Sequence, residues 1–259
     1  ELETLLGASL VERSKRSVVF TPLGRAIAAR ARIVLREAQE LAELAAAAKD
    51  PLSGSLRLGV IPTIAPFLLP KVLPKLRKTY PKLKLYLTED LTQRLVDDLH
   101  AGTLDCVLLA LPVEIGEAEQ MLLFDDPFEF VARKDHPLAA KAKISTEELS
   151  DAPLLLLTDG HCLRDHALDA CHLGRRPSGA DVTATSLHTL VEMAANGLGV
   201  TLIPDMALKA KLLKGSELVA RPLAGGKPGR RIGLIWRKTS AREKEFRLLG
   251  RAIRDAYQH

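Results

Sequence analysis

The chain has 259 residues, of which 47% are hydrophobic and 27% are charged, and its formal net charge is +5. This balance is typical of a globular protein with one large or two small domains, and it excludes fibrous and disordered classes. No apolar run approaches the roughly 18 to 20 residues that cross a bilayer, and no signal peptide begins the chain. We therefore expect a cytoplasmic protein, with a modest indication of an acidic partner from the positive charge.

The amino-terminal residues predict a helix end followed by a hairpin. Residues 1–10 have the pattern of a helix closed by Gly7, and residues 11–21 alternate like a wing with its tip at 14–16. Basic residues crowd the first forty positions, where they either form a solvated face or contact phosphate. Those of the wing are Arg13, Lys15 and Arg16. Because the chain starts inside a predicted helix and without methionine, we expect a preceding segment.

A long helix is predicted next. Thr21 and Pro22 supply a cap and a first-turn proline for an alanine-rich helix that runs to Lys49. Its apolar stripe suits pairing with a second long helix and consists of Leu23, Ile27, Ala31, Val34, Leu35, Ala38, Leu41, Ala42 and Ala45. We therefore divide the chain into a hairpin unit (1–21), a linker and dimerisation helix (22–52) and a third unit (53–259).

The third unit alternates short apolar strands with amphipathic helices, which predicts an α/β fold with a largely parallel sheet. Strands are predicted at 55–60, 82–87, 105–111, 128–133, 154–157, 200–203, near 218 and at 231–236. Helices are predicted at 64–79, 92–101, 162–170, 186–196, 205–213 and 243–257. Two lobes are implied, lobe I at 53–127 and 231–259 and lobe II at 128–230. The sequence contains no P-loop and no dinucleotide-binding glycine fingerprint.

Two of the three cysteines, Cys162 and Cys171, lie nine positions apart in a polar segment. A turn signal at 159–160 followed by helical composition places Cys162 in the first turn of a helix. Unpaired backbone N–H groups and the helix dipole stabilise a thiolate there, and His161 and Arg164 add nearby donors. Cys162 is therefore the better nucleophile, and Cys171 is the candidate resolving partner.

Two other interpretations of the cysteine segment remain open. The pair could be two small buried apolar residues, as we expect for the third cysteine, Cys106, inside the apolar run 104–111. The segment could also bind zinc, although Cys162 and Cys171 fall on opposite faces of a continuous helix. The ligands would come from His161, Cys162, His166, Cys171 and His172.

Several segments together carry a resemblance to a known family. The wing, the sequence Phe-Thr-Pro-Leu-Gly at 20–24, the sequence Ser-Leu-Arg-Leu-Gly-Val at 55–60 and the two α/β lobes resemble LysR-type transcriptional regulators. Within that family, residues 60–70, 104–111, 159–165 and 184–187 are similar to the OxyR subfamily of hydrogen peroxide sensors. The cysteine segment is the specific part of this likeness.

The resemblance implies a two-lobed regulatory domain like a periplasmic binding protein and assigns roles to individual residues. Cys162 becomes the peroxidatic cysteine and Cys171 the resolving one, joined by a reversible disulfide. The peroxide-binding groups would be Thr63, Thr92, His161 and Arg230. Without the resemblance, Thr63 is an ordinary turn hydroxyl, Thr92 a helix cap and Arg230 a surface charge.

The resemblance also implies partners. Residues 1–21 would be the remnant of a winged helix-turn-helix DNA-binding domain, most of which a full regulator would carry ahead of Glu1. The full regulator would bind DNA, work with RNA polymerase, and assemble as homodimers and homotetramers. Thioredoxin or glutaredoxin would reduce the disulfide. No cofactor, bound metal or enzymatic turnover beyond its own oxidation is expected. The alternatives are a LysR-type regulator that responds to a small organic effector, and a metal-responsive regulator that uses the histidine and cysteine cluster.

Overall fold

The computed structural model describes residues 1–14, 17–47, 50–150, 152–171 and 183–258. The helices of this part are α1 (Leu2–Leu6), α2 (Pro22–Ala47), α3 (Ala65–Thr79), α4 (Thr92–Ala101), α5 (Thr146–Ser150), α6 (Cys162–Ala170), α7 (Leu187–Ala195), α8 (Asp205–Lys209) and α9 (Glu243–Gln258). The strands are β1 (Val11–Arg13), β2 (Val18–Phe20), β3 (Gly54–Val60), β4 (Leu83–Glu89), β5 (Cys106–Leu111), β6 (Ala118–Arg133), β7 (Leu154–Leu155), β8 (Val200–Pro204), β9 (Leu218–Pro222) and β10 (Gly229–Arg237).

The amino-terminal hairpin and the start of α2 form as the sequence predicts. β1 and β2 pair antiparallel, with Val11 opposite Phe20. The Thr21 hydroxyl accepts a hydrogen bond of 2.9 Å from the Gly24 N–H and so caps α2. Gly24 is required by close approach, because a Cβ there would overlap the Leu10 carbonyl oxygen. The described part of α2 ends at Ala47, so the predicted end at Lys49 lies outside the described residues.

A single path of strands joins the two lobes, in the order β4-β3-β5-β10-β6-β8-β7, with β9 also paired to β6. β3, β4 and β5 are mutually parallel, whereas β10 runs antiparallel to both β5 and β6. All six residues of β5 are buried, which fits a strand covered on both faces. The two-lobed α/β class is therefore confirmed, while the exact lobe boundaries stay predictions. The expectation of a largely parallel sheet was wrong, because β6 and β10 pair antiparallel with their neighbours.

β6 carries the chain from one lobe to the other. Its first part pairs with β10, from Ala118 opposite Arg237 to Pro127 opposite Gly229. Its second part, from Phe128 onward, pairs with β8 and β9. The prediction of a strand only at 128–133 was wrong, because residues 118–127 are mixed in polarity and include an Asp-Asp-Pro breaker signal. Pairing with β10 overrides that local signal.

The closing helix α9 packs on α3 and on β6 and β10, so the chain end returns to the first lobe as expected. The predicted helix at 205–213 ends early, at Lys209, because Lys211 takes a positive φ of 65° that a helix does not allow. A short 3-10 helix at Pro137–Ala140 and α5 were not predicted from the sequence. No helix among the described residues is both long and apolar enough to span a bilayer.

Candidate functional site

Cys162 is the first residue of α6, as the sequence predicts. Gly160 makes the preceding turn with a positive φ of 91°, and His161 occupies the N-cap position. The Cys162 side chain therefore lies next to the unpaired N–H groups and the positive end of the helix dipole. This is the position in a helix that best stabilises a thiolate.

A small cleft brings the start of α6 against the first lobe. Its walls come from the turn after β3, the start of α4 and the start of α6, with about 160 Å³ of empty space. The lining residues are Ile61, Pro62, Thr63, Leu91, Thr92, Gly160, His161 and Cys162. The space is too narrow for a water-sized sphere, so a ligand of that size enters only when side chains move.

The pKa of the Cys162 thiol lies below its ordinary value. Burial alone would raise this pKa, but interactions with the His166 and Thr92 side chains outweigh burial. The positive charges of His166 and Arg230 add to the stabilisation of the thiolate. The site therefore favours the ionised, nucleophilic form of Cys162.

Arg230 is buried at the crossing between the lobes and holds Thr63 in place. Its Nη1 donates to the Thr63 hydroxyl at 2.7 Å, and its Nη2 donates to the Thr63 carbonyl at 2.9 Å. Nε donates to Asp126 at 3.0 Å, and neither charged side chain has any exposed area. Asp126 also accepts from the Met206 N–H of α8 at 2.9 Å, so this ion pair joins elements of both lobes.

The structure does not support the alternative interpretations of Thr63 as a turn hydroxyl, Thr92 as a helix cap and Arg230 as a surface charge. Arg230 is 2% exposed, so it is not a solvated surface charge, and it fixes the Thr63 hydroxyl rather than leaving it to a turn. Thr92 is the first helical residue of α4, whose N-cap is Leu91, and its side chain is buried. The structure thus brings Thr63, Thr92, His161 and Arg230 around Cys162, while their predicted role in binding peroxide stays a prediction.

His161 and Arg164 were predicted as nearby donors for the thiolate, and this role stays a prediction. His161 is buried, and burial lowers its pKa and favours the neutral ring. Arg164 makes an ion pair of 2.8 Å with Asp159. The interactions that lower the pKa of Cys162 come instead from His166 and Thr92 first, and then from Arg230.

The other two cysteines are buried and less acidic. Cys171 is 1% exposed, and burial raises its pKa to about 11. Cys106 lies inside β5, where burial and the neighbouring charge of Asp105 raise its pKa well above the ordinary value. All three thiols are free, and α6 is continuous from Cys162 to Ala170. Cys162 is therefore the one of these three thiols whose pKa is lowered.

Two groups of the site were missed by sequence reasoning. His166 was considered only as a metal ligand, although its spacing of four from Cys162 placed both on one helix face. Asp126 gave no signal, because its pairing with Arg230 depends on the register of β6 against β10. Within the described ranges, no three His, Cys, Asp or Glu side chains converge as a metal site. His172 lies outside those ranges.

In the wing, Arg13 is exposed on β1. Lys15 and Arg16 lie outside the described residues. The DNA-contacting role of this wing stays a prediction.

Known proteins are similar in sequence to this chain over nearly its whole length. Residues 49–258 match the family described as the LysR substrate binding domain. A probable hydrogen peroxide-inducible genes activator of Streptomyces viridosporus is 43% identical over 256 residues, 98% of this chain and 82% of that protein. The HTH-type transcriptional regulator EstR of Acinetobacter baylyi is 41% identical over 247 residues, 95% of this chain and 81% of that protein.

The chain belongs to the LysR family of transcriptional regulators. Within this family, a solved structure of Corynebacterium glutamicum OxyR, a cysteine variant with hydrogen peroxide bound, matches with a TM-score of 0.79 and 35% identity. The match covers 99% of this chain and 81% of that one. The LysR-type fold, with its likeness to OxyR, is therefore shown by both sequence and structure.

Proposed function

We propose that this LysR-type protein senses hydrogen peroxide through oxidation of Cys162 and regulates transcription in response. The observation that carries the proposal is the surroundings of Cys162, a thiol at a helix N-terminus whose pKa is lowered by neighbouring side chains. It lies in a narrow cleft lined by hydroxyl and imidazole groups. Such a site suits a very small polar oxidant better than an organic molecule.

The chemistry begins with attack of the Cys162 thiolate on one oxygen of the peroxide. A sulfur–oxygen bond forms, the oxygen–oxygen bond breaks, and the departing hydroxide takes a proton to become water. The sulfenic acid then condenses with the Cys171 thiol, which releases a second water and forms the disulfide. A thioredoxin or glutaredoxin system restores both thiols, so the protein undergoes no turnover beyond its own oxidation.

Four side chains would hold the peroxide for this attack. The Thr63 hydroxyl already accepts from Arg230 and so keeps its own proton available to a ligand. Thr92 and His161 line the same cleft, and the charge of Arg230 stabilises negative charge on the departing oxygen. Because the cleft is too narrow for a water-sized sphere, peroxide entry requires a small displacement of these side chains.

Formation of the disulfide would change the fold of lobe II. Nine helical steps from Cys162 to Cys171 correspond to ~13.5 Å along the axis. A disulfide needs Cα atoms within ~7 Å, so α6 must unwind. Two packings of this segment supply a switch that repositions the lobes and the subunits of a homotetramer on DNA. In this proposal the protein is cytoplasmic, contacts DNA through a complete winged helix-turn-helix with wing residues Arg13, Lys15 and Arg16, and acts on RNA polymerase.

Titration of the reduced protein with hydrogen peroxide, followed by a count of free thiols, tests the proposal. Two of the three thiols should be lost at about one equivalent of peroxide, and thioredoxin should restore them. Retention of all three thiols under this treatment would reject peroxide sensing.

A second candidate is a regulator that responds to a small organic effector between the lobes. The match of residues 49–258 to the family described as the LysR substrate binding domain favours it. Under this alternative Cys162→Ser would leave the regulatory response intact. Transcription of a target promoter in cells that carry the intact protein or its Cys162→Ser variant, with and without peroxide, separates the two candidates.

A further inference from the structure

His166 is a buried histidine that the proposed peroxide-binding set does not use. It lies one helical turn after Cys162 on the same face of α6 and is 7% exposed. A buried imidazole at this spacing from a reactive thiol is placed to exchange a proton with it.

The hydrogen bonding of the His166 ring determines which ring nitrogen can exchange a proton with the thiol. Nε2 lies 2.7 Å from the Pro112 carbonyl oxygen, and a carbonyl only accepts, so Nε2 carries a proton in both charge states. Nδ1 is buried and has no partner at full hydrogen-bond geometry within the described part of the chain. Nδ1 is therefore the atom that gains or loses a proton.

The groups packed around the ring favour a proton on Nδ1 overall. On α6 itself the titratable neighbour is Cys162, on β10 it is Arg230, and on β6 Asp126 offsets the Arg230 charge. Burial lowers the pKa of His166, as does Arg230. The Cys162 sulfur and the Pro112 carbonyl raise it by more, so the net shift is upward. The thiol and the imidazole thus stabilise each other in their charged forms.

We propose that His166 is the thiol-activating residue of this site, which takes the Cys162 proton onto Nδ1 and leaves an imidazolium–thiolate pair. The proposal deepens the proposed function and rests on it for the identity of the oxidant. In the step with peroxide, sulfur gains a bond to oxygen while the oxygen–oxygen bond breaks. The proton held by Nδ1 returns to the departing hydroxide, so a thiol and peroxide become a sulfenic acid and water.

The His166→Gln variant tests this role, because glutamine can still donate to the Pro112 carbonyl but cannot hold the thiol proton. The rate of alkylation of Cys162 by iodoacetamide is measured against pH, with the modified residue assigned by mass spectrometry. At neutral pH we expect the rate to fall about five- to tenfold. The midpoint of the profile should move up toward that of an ordinary thiol. The thiolate is lost as the pH falls through its pKa, so the variant differs least at high pH.

His100→Gln is the matched control. His100 also places Nε2 at 2.9 Å from a backbone carbonyl, that of Ile115, and it is exposed at the end of α4. This change should leave the alkylation profile of Cys162 unaltered. A profile of His166→Gln that coincides with that of the unmodified protein would overturn the proposal.

Titration of the His166 ring by nuclear magnetic resonance gives a second test that does not depend on the glutamine variant folding. The imidazole of the Cys162→Ser variant should lose its proton at lower pH than that of the unmodified protein, because the thiolate is gone. An unchanged titration would contradict the pair. Alkylation and ring titration involve no peroxide, so both results stand even if the protein fails to react with hydrogen peroxide.

Discussion

Cys162 and Cys171 belong to one helix, but their surroundings give them opposite reactivity. Cys162 has a lowered pKa at the open end of α6, whereas burial raises the pKa of Cys171 to about 11. We therefore expect Cys171 to stay protonated and unreactive until the helix that buries it opens. The proposed order of the two oxidation steps rests on this difference.

The first prediction at this scale separates the roles of the two thiols. Cys162→Ser should abolish the fast reaction with peroxide, because the ionised nucleophile is lost. Cys171→Ser should still react and should accumulate a sulfenic acid on Cys162, which dimedone traps for mass spectrometry. Fast reaction in Cys162→Ser together with its loss in Cys171→Ser would reverse the assignment.

The second prediction concerns the buried ion pair of Asp126 and Arg230. Asp126→Asn leaves the guanidinium buried without a charged partner, so the free energy of unfolding should fall by about 3 kcal/mol or more. Denaturant unfolding measures this change. In the control Asp135→Asn the lost ion pair, with Arg133, is at the surface, and the stability should hardly change. Equal losses in both variants would show that the buried pair has no special role.

The sequence predicted the position of Cys162 in the fold well and its neighbours only in part. The turn at 159–160 and the helical composition after it were enough to place Cys162 in a first helical turn. The residues that change its pKa come from α4 and β10 as well as from α6, and Asp126 reaches Arg230 across 104 positions of sequence. Such contacts depend on strand register, which local composition does not encode.

At the scale of elements, α6 is the part of the fold that the proposed disulfide would change. Leu163, Ala167 and Leu168 are buried along its length, and the helix is continuous between the two cysteines. Joining the sulfurs therefore requires these side chains to leave their packing or to find new partners. An intact α6 and a disulfide between Cys162 and Cys171 therefore exclude each other.

We predict that hydrogen exchange of residues 163–170 changes sharply between the reduced and the disulfide-bonded protein. Unwinding removes the helical hydrogen bonds that protect these amides, so exchange should become faster by at least about tenfold. The buried strand β5 serves as the internal reference and should keep its protection. Equal exchange of residues 163–170 in both redox states would show that the disulfide forms without unwinding α6.

Elements with a strong local pattern were predicted and those fixed by tertiary pairing were not. The helices at 92–101 and 162–170 have the predicted bounds, since amphipathic spacing and turn signals mark both ends. The first part of β6 was not predicted, because its Asp-Asp-Pro sequence is typical of a turn. Only the antiparallel partner β10 makes it a strand.

At the scale of the whole molecule, α2 leaves an apolar stripe uncovered. Its large exposed members are Leu23 (48%), Val34 (67%), Leu35 (70%) and Leu41 (71%). Most of the stability of a helix in a protein comes from packing of its apolar face, so a second copy of α2 is the natural partner. We therefore predict a dimer or a larger assembly for the 259-residue chain at micromolar concentration.

Light scattering of a stripe variant tests this prediction. Leu35→Glu places a charge in the stripe and should shift the protein toward the monomer. Arg32→Glu changes a residue off the stripe and should leave the assembly unaltered. A monomer for the unmodified chain at micromolar concentration would contradict the prediction.

The return of α9 to the first lobe and the presence of two lobes were both foreseen, because alternating strands and helices allow few other arrangements. The position of Arg230 at the crossing between the lobes was foreseen only through the likeness to a family. Residues at such a crossing are distant in sequence, and no periodic pattern identifies them.

The central claim is that peroxide joins Cys162 to Cys171. The most direct measurement is mass spectrometric mapping of disulfide-linked peptides after the reduced protein has reacted with about one equivalent of hydrogen peroxide. We expect one dominant species, in which the peptides that contain Cys162 and Cys171 are linked and Cys106 is a free thiol. Oxidation that leaves Cys171 free, or a link between Cys162 and Cys106, would contradict it.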